Sequence, residues 1–175
     1  MKLLCELTDQ TVLGLPGRSD APPRYTARAI LRREDGLYAV MYAARFNLYT
    51  LPGGGMEPHE DPLTALRREM MEETGCACDR IDELGMVLEN RAHCDYTQCS
   101  YYYLVTTASP AADTHLTAAE CHNGTEVQWH TLEDAVRLIA ETPVETNQQR
   151  FLQARDAAAL RAYLEACESD EPASP

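Results

Sequence analysis

Lysine is almost missing from this chain: Lys2 is the only one in 175 residues, and every other basic side chain is arginine. A Walker P-loop, a protein-kinase site and a lysine Schiff-base site each need a lysine inside the fold, so all three are excluded. Positive charge as a whole is scarce. Fifteen lysines and arginines face 28 acidic residues, for a net charge of −13. A sequence-independent nucleic-acid binder needs a basic face, so no nucleic-acid polymer is expected as a partner. No apolar run approaches a membrane span, and the run at Leu3-Leu4-Cys5 is too short for a secretory signal. The seven cysteines include no Cys-x-x-Cys pair, and their odd number and irregular spacing do not make a disulfide framework. A cytoplasmic setting is therefore the expectation. Cys94, Cys99, Cys121 and His122 could be imagined around zinc, but their spacing fits no common knuckle and reads as ordinary reduced thiols.

What is present suffices for one folded domain. Hydrophobic residues make up 45 % of the chain and charged residues 25 %, enough for a core and too little charge for wholesale disorder. A single domain is expected over residues 1–167. Within it, 1–24 reads as an N-terminal extension and 147–167 as a C-terminal helical segment, while 168–175 reads as a disordered acidic tail. Residues 1–15 suggest a strand or hairpin interrupted at Asp9-Gln10. Tyr25 to Leu31 and Leu37 to Ala43 read as a hairpin turning at Asp35-Gly36. At Leu51-Pro52-Gly53-Gly54-Gly55 no regular element is expected to persist. A helix follows, with Asp61 as N-cap, Pro62 in the first turn, a stripe of Leu63, Leu66 and Met70, and Gly75 as the stop. Ile81 to Glu89 and Ser100 to Thr107 read as strands, Ser109 to Gly124 as a polar loop, and Glu126 to His130 as a short strand. Two helices close the reading: one capped by Thr131, with Leu132, Ala135, Val136, Ile139 and Ala140 as its apolar stripe, and one over Arg150 to Cys167. Hairpin-connected strands mixed with helices favour an α/β fold with a mixed sheet.

The informative stretch is Gly54 to Cys76. Glu69, Glu72 and Glu73 fall at i, i+3 and i+4, on one helical face. Three adjacent carboxylates repel one another, and their position in the last helical turn, near its negative end, is unfavourable. A solvated acidic face is the ordinary reading of such a cluster. Beside a glycine-rich loop whose backbone can approach a ligand, the cluster instead has the oxygen ligands that hard divalent cations require.

The run Gly54, Glu60, Arg68, Glu69, Met70, Glu72, Glu73, Gly75, Cys76 resembles the Nudix box, Gly-x5-Glu-x7-Arg-Glu-U-x-Glu-Glu-x-Gly-U with U apolar. Seven fixed letters would coincide by chance about once in 10⁸ start positions. Only the closing cysteine is unusual, and it behaves there as a small hydrophobe. The surrounding elements, over roughly residues 25–142, also look like the family. The resemblance implies an α/β/α sandwich around a mixed sheet, and a hydrolase that splits a diphosphate linkage in a nucleoside-diphosphate-linked small molecule with Mg2+ or Mn2+. The same fold can also serve as a nucleotide-binding or regulatory module without turnover, although such modules often lose box carboxylates and this chain keeps all four.

By that resemblance Glu69, Glu72 and Glu73 hold metal with the Gly53 carbonyl, and Glu60 and Arg68 form a structural ion pair. A further acidic ligand or base is expected from a later segment, with Glu126 the first choice and Glu120 the second. Arg28, Arg45 and Tyr49 are candidates for substrate contact, with Arg91 a further cation near the site. Trp129 reads as packing, and His59 has no assigned role. The upstream motif of coenzyme A-type members is absent. The region Asn90-Arg91-Ala92-His93-Cys94 shows neither the proline of ADP-ribose types nor the tyrosine of dinucleoside-polyphosphate types. Substrate identity is left open between sugar nucleotide, ADP-ribose and nucleotide. The acidic charge favours a diphosphate-linked compound with a neutral second half over a triphosphate. Phe151, Leu152, Leu160, Tyr163 and Leu164 give the last helix more apolar surface than a lone surface helix shows, which suggests packing on the sheet or a homodimer contact.

Overall fold

The structure, a computed structural model, describes residues 1–108 and 112–170. The first element is the strand β1 (Leu3–Thr8), and it runs straight into the helix α1 (Asp9–Leu13). The expected strand thus breaks at Asp9, but into a helix rather than a second strand of a hairpin. Thr8 is the reason: its hydroxyl accepts the Thr11 amide while the Thr11 hydroxyl accepts the Thr8 amide, a reciprocal cap.

Strands β2 (Arg24–Arg33) and β3 (Tyr38–Ala43) form the antiparallel hairpin, and β4 (Leu48–Thr50) pairs antiparallel with the end of β3. The glycine run is not irregular. Gly53–Gly55 is a strand, β5, paired antiparallel to β2 through Thr26, Ala27 and Arg28. Glycine is required here by space: a Cβ on Gly54 would lie 2.4 Å from a Glu69 carboxylate oxygen, and one on Gly53 would lie 2.3 Å from the Ala27 carbonyl.

The helix α2 (Pro62–Thr74) is capped by the Asp61 carboxylate, which accepts the Leu63 and Thr64 amides, and ends at Gly75 in the left-handed conformation. Its buried stripe is Ala65, Leu66, Glu69, Met70, Glu73 and Thr74. Leu63, in the first turn, stays 43 % exposed, so the expected stripe is shifted toward the carboxylates.

β6 (Arg80–Arg91) and β7 (Tyr96–Thr107) are long antiparallel partners. A short helix, α3 (Ala118–His122), stands where a loop was expected. Thr117 and Glu120 cap it reciprocally. Then come β8 (Thr125–His130), α4 (Leu132–Glu141) and α5 (Asn147–Asp170). Of the α4 stripe, Ala140 is exposed. The last helix runs to 170, into the expected tail; residues 171–175 of that tail lie outside the described residues, as do 109–111 of the expected loop.

The sheet runs β1-β6-β7-β2-β3-β4, with β5 also on β2 and β8 also on β3. β1/β6 and β2/β7 are parallel and the other pairs antiparallel, so the sheet is mixed. Side chains alternate across it. Ala27, Ala29 and Leu31 of β2 pack with Ala65, Leu66 and Met70 of α2 on one face. Ile30, Val40 and Tyr102 pack with Ile139 of α4 and Ala159 and Leu160 of α5 on the other. This is the α/β/α sandwich. The apolar residues that suggested a dimer are largely spent within the chain: Phe151 and Leu160 are buried, and Tyr163 packs against the same core. No helix among the described residues is long and apolar enough to cross a membrane.

Candidate active site

β5 and the second half of α2 meet at the glycines. Glu73, one turn beyond Glu69, is buried and accepts the Gly53 amide. Glu69 lies beneath Gly54 and takes a hydrogen bond from Arg68 at 2.8 Å. Arg68 grips Glu60 with two nitrogens, each at 2.9 Å, reaches Glu72 at 3.2 Å, and donates to the Gly55 carbonyl at 2.9 Å. One guanidinium therefore ties the loop of Glu60, the glycine strand and the helix together.

The box carboxylates are driven apart in acidity. The Arg68 fork pulls Glu60 down to about 2. Burial pushes Glu73 up to about 8, against the opposing pull of the Gly53 amide and Arg28. Burial also raises Glu69, with Arg68 working against it. Among the described residues no three His, Cys, Asp or Glu side chains are gathered into a ready-made metal cluster. Glu69 and Glu72 are turned onto Arg68, and Glu73 onto the Gly53 amide. The donor chemistry still suits a hard cation. All donors are oxygen, and Glu73 is a buried carboxylate without an ion-pair partner among the described residues, so its ionised form needs positive charge from elsewhere.

These groups open onto a cleft of about 840 Å³, bordered also by Arg24, Arg28, Glu120, Leu152 and Arg155. Of the residues expected from sequence, the structure brings Gly53, Gly54, Arg28, Arg68, Glu69, Glu72 and Glu73 to its walls. Gly75 caps α2, and Glu60 stands behind Arg68. Glu126 is not brought there. It lies on β8 beside Tyr42 and accepts the Gln128 side-chain amide, while Glu120, the second choice, borders the cleft. Arg45 and Tyr49 are not in its walls either. Arg45 sits in the turn after β3 against His122, and the Tyr49 ring stacks on Tyr42 at 4.6 Å. Arg91 is buried, ion-paired with Glu89, and lies 4.8 Å from the Phe151 ring. Trp129 lies beneath the Arg33 guanidinium at 4.5 Å, and His59 is outside the cleft walls. The cysteines imagined around zinc are dispersed, with Cys99 buried and Cys94 and Cys121 exposed.

Arg24, Arg155 and Asp156 were missed in the sequence. Arg155 and Asp156 are fully buried on α5, paired with each other, and Tyr102 donates to Asp156. Their signal was a charged pair embedded in an alanine-rich helix. That of Arg24 was its placement four residues before Arg28 on one strand.

A glycine strand crossing a carboxylate-bearing helix, inside an α/β/α sandwich, defines the class of Nudix folds. The NUDIX domain matches residues 22–154, and the chain belongs to the Nudix hydrolase family. It is 30 % identical over 128 residues to a MutT-like protein of Streptomyces ambofaciens, covering 72 % of this chain and 77 % of that protein. It is 31 % identical over 108 residues to diphosphoinositol polyphosphate phosphohydrolase 3-beta of Bos taurus, covering 61 % of this chain and 62 % of that protein. The fold matches a NUDIX hydrolase from Nitrosomonas europaea with a TM-score of 0.60 at 19 % identity, over 83 % of this chain and 90 % of the other. It matches a MutT protein from Methanosarcina mazei at 0.55 and 22 % identity, over 84 % and 97 %.

Proposed function

We propose that this protein cleaves a diphosphate linkage in a small nucleotide-type molecule, with a divalent cation bound at the α2 carboxylates. The observation that carries this reading is the juxtaposition of buried Glu73 and Glu69 with the glycine strand at one end of a cleft that also presents arginine. Glu69, Glu72, Glu73 and the Gly53 carbonyl would hold Mg2+ or Mn2+. Once bound, the ion would supply charge neutralisation at the carboxylates and Lewis acidity toward a phosphate oxygen.

The chain's own groups do the rest. Arg68 bridges Glu69 and Glu72 through a single nitrogen and braces the Gly55 carbonyl. Arg28 lies near Glu69 and Glu73 and offers a guanidinium to a phosphate oxygen. Glu120, which borders the cleft, replaces Glu126 as the proposed proton acceptor for the attacking water. Relatives that act on diphosphoinositol polyphosphates widen the set of compounds to try beyond nucleotides. The test is a panel of sugar nucleotides, ADP-ribose, dinucleotides, triphosphates and diphosphoinositol polyphosphates in magnesium, scored for phosphate or monophosphate release. Release that stops on chelation and returns with magnesium is the expected result. No product from any member would leave a binding module in its place.

A further inference from the structure

β2 alternates strictly. Ala27, Ala29 and Leu31 face α2, whereas Thr26 bonds Ser100 and Ile30 joins the core under α4 and α5. Arg24 and Arg28 share the Thr26 and Ile30 face, with about 13 Å of strand between their Cα atoms. Both border the cleft. Arg68 and Arg155, the other arginines of its wall, are each neutralised by carboxylates, Glu60 and Asp156. Arg24 and Arg28 form no ion pair among the described residues. The Arg28 Nε is moreover the one buried side-chain nitrogen or oxygen there without a hydrogen-bond partner.

The two cations stand at different stations. Arg28 is paired in register with Gly53, the glycine bonded to Glu73, and so serves the end where a diphosphate would meet the metal. Arg24 lies at the other end of β5, with its guanidinium against Gly55. A guanidinium without an ion pair, bordering the cleft, gives an anion a local partner that offsets the chain's net charge of −13.

We infer that Arg24 receives a second anionic group of the substrate, separate from the scissile diphosphate. This inference rests on the function proposed above and narrows it to compounds that carry a further phosphate. It departs from the neutral second half that the acidic net charge suggested in the sequence.

Matched pairs test it: NADP+ against NAD+, and ADP-ribose 2′-phosphate against ADP-ribose, in saturating magnesium. Wild type should favour the extra phosphate by about tenfold or more in kcat/KM. Arg24→Gln should bring the ratio close to one, and Arg24→Lys should restore part of it. The ratio is insensitive to a general disturbance of the loop, which lowers both members alike. A wild-type ratio near one, or a ratio unchanged by Arg24→Gln, overturns the inference.

If no member is hydrolysed, calorimetry in chelator decides. Adenosine 2′,5′-bisphosphate binding more tightly than adenosine 5′-monophosphate, with the difference lost in Arg24→Gln, upholds the anion subsite while the catalytic reading falls. Equal binding of the two removes the subsite.

Discussion

Asp156, buried on α5, accepts the Leu51 amide at 3.0 Å across 105 positions of the chain. Arg28 donates to the carbonyl of the same residue at 3.0 Å. Leu51 leads into Pro52 and Gly53, whose amide is held by Glu73. The approach to the glycine strand is therefore fixed from three elements, and one of them is the last helix.

Asp156 also neutralises Arg155, and that pairing holds its carboxyl below the usual range despite full burial. Asp156→Ala leaves the buried Arg155 guanidinium without its hydrogen-bonded partner and with Glu89 alone, at 3.9 Å. Such a loss costs about 3–5 kcal/mol, so Tm should fall by roughly 10 °C or more. Asp156→Asn keeps an acceptor for Leu51 and should fall between wild type and alanine. Thermal denaturation of the three proteins checks the order.

The raised pKa of Glu73 makes metal-free stability depend on pH. Its folded pKa of about 8 lies above the ordinary 4.5, so its share of stability is present below 4.5 and is lost as pH rises toward 8. Metal-free Tm should drop between pH 5 and 8, and Glu73→Gln should flatten that drop. Magnesium should raise Tm more at pH 8 than at pH 5, where protons compete for the carboxylates. Equal shifts at both pH values would contradict a cation bound to Glu73. The same variant should lose several orders of magnitude in kcat while remaining folded.

Arg68→Ala should lower both Tm and rate, because Glu60, Gly55 and Glu69 lose their common partner. Glu60 is depressed to about 2, so its stabilising share is present above 4.5 and lost as pH falls toward 2. The variant should therefore show a weaker acid-side dependence than wild type. An unchanged Tm alongside a reduced rate would place Arg68 on the substrate instead.

Glu120 and Glu126 separate cleanly by position. Glu120→Gln should reduce kcat by about 10²–10⁴ if it accepts the proton of the attacking water. Glu126→Gln should leave turnover near wild type, since its carboxylate is engaged with Gln128 outside the cleft. The reverse pattern would return the base to β8.

The part of the site legible in the sequence is the part built by one helix and the loop before it. Spacing alone puts Glu69, Glu72 and Glu73 on one face, and Asp61 and Gly75 mark the ends of that helix. β5 was hidden because three glycines argue against a strand. It forms because its backbone pairs with β2, and glycine is needed there because β2 on one side and Glu69 on the other leave no room for a Cβ. The Thr117-x-x-Glu120 capping box was readable and would have put a helix beside the cleft. Arg24, Arg155 and Asp156 lie on segments whose approach to the site depends on how the sheet is covered, which no local pattern encodes. Arg45 and Arg91 misled for the same reason: closeness in sequence to the glycine loop or to a strand end is not closeness in space.

The hold of α5 on Leu51 also sets an order of events during synthesis. A ribosome adding about 5–20 residues per second makes Asp156 roughly 5–20 s after Leu51, 105 positions earlier. Within that interval the nascent chain gains the glycine strand and all the box carboxylates before it has the helix that covers one face of the sheet. The sheet face bearing Val40 and Tyr102 lacks its α5 partners over the last 54 of those positions, from Tyr102 to Asp156, so a chaperone that shields apolar sheet surface has a defined period in which to act.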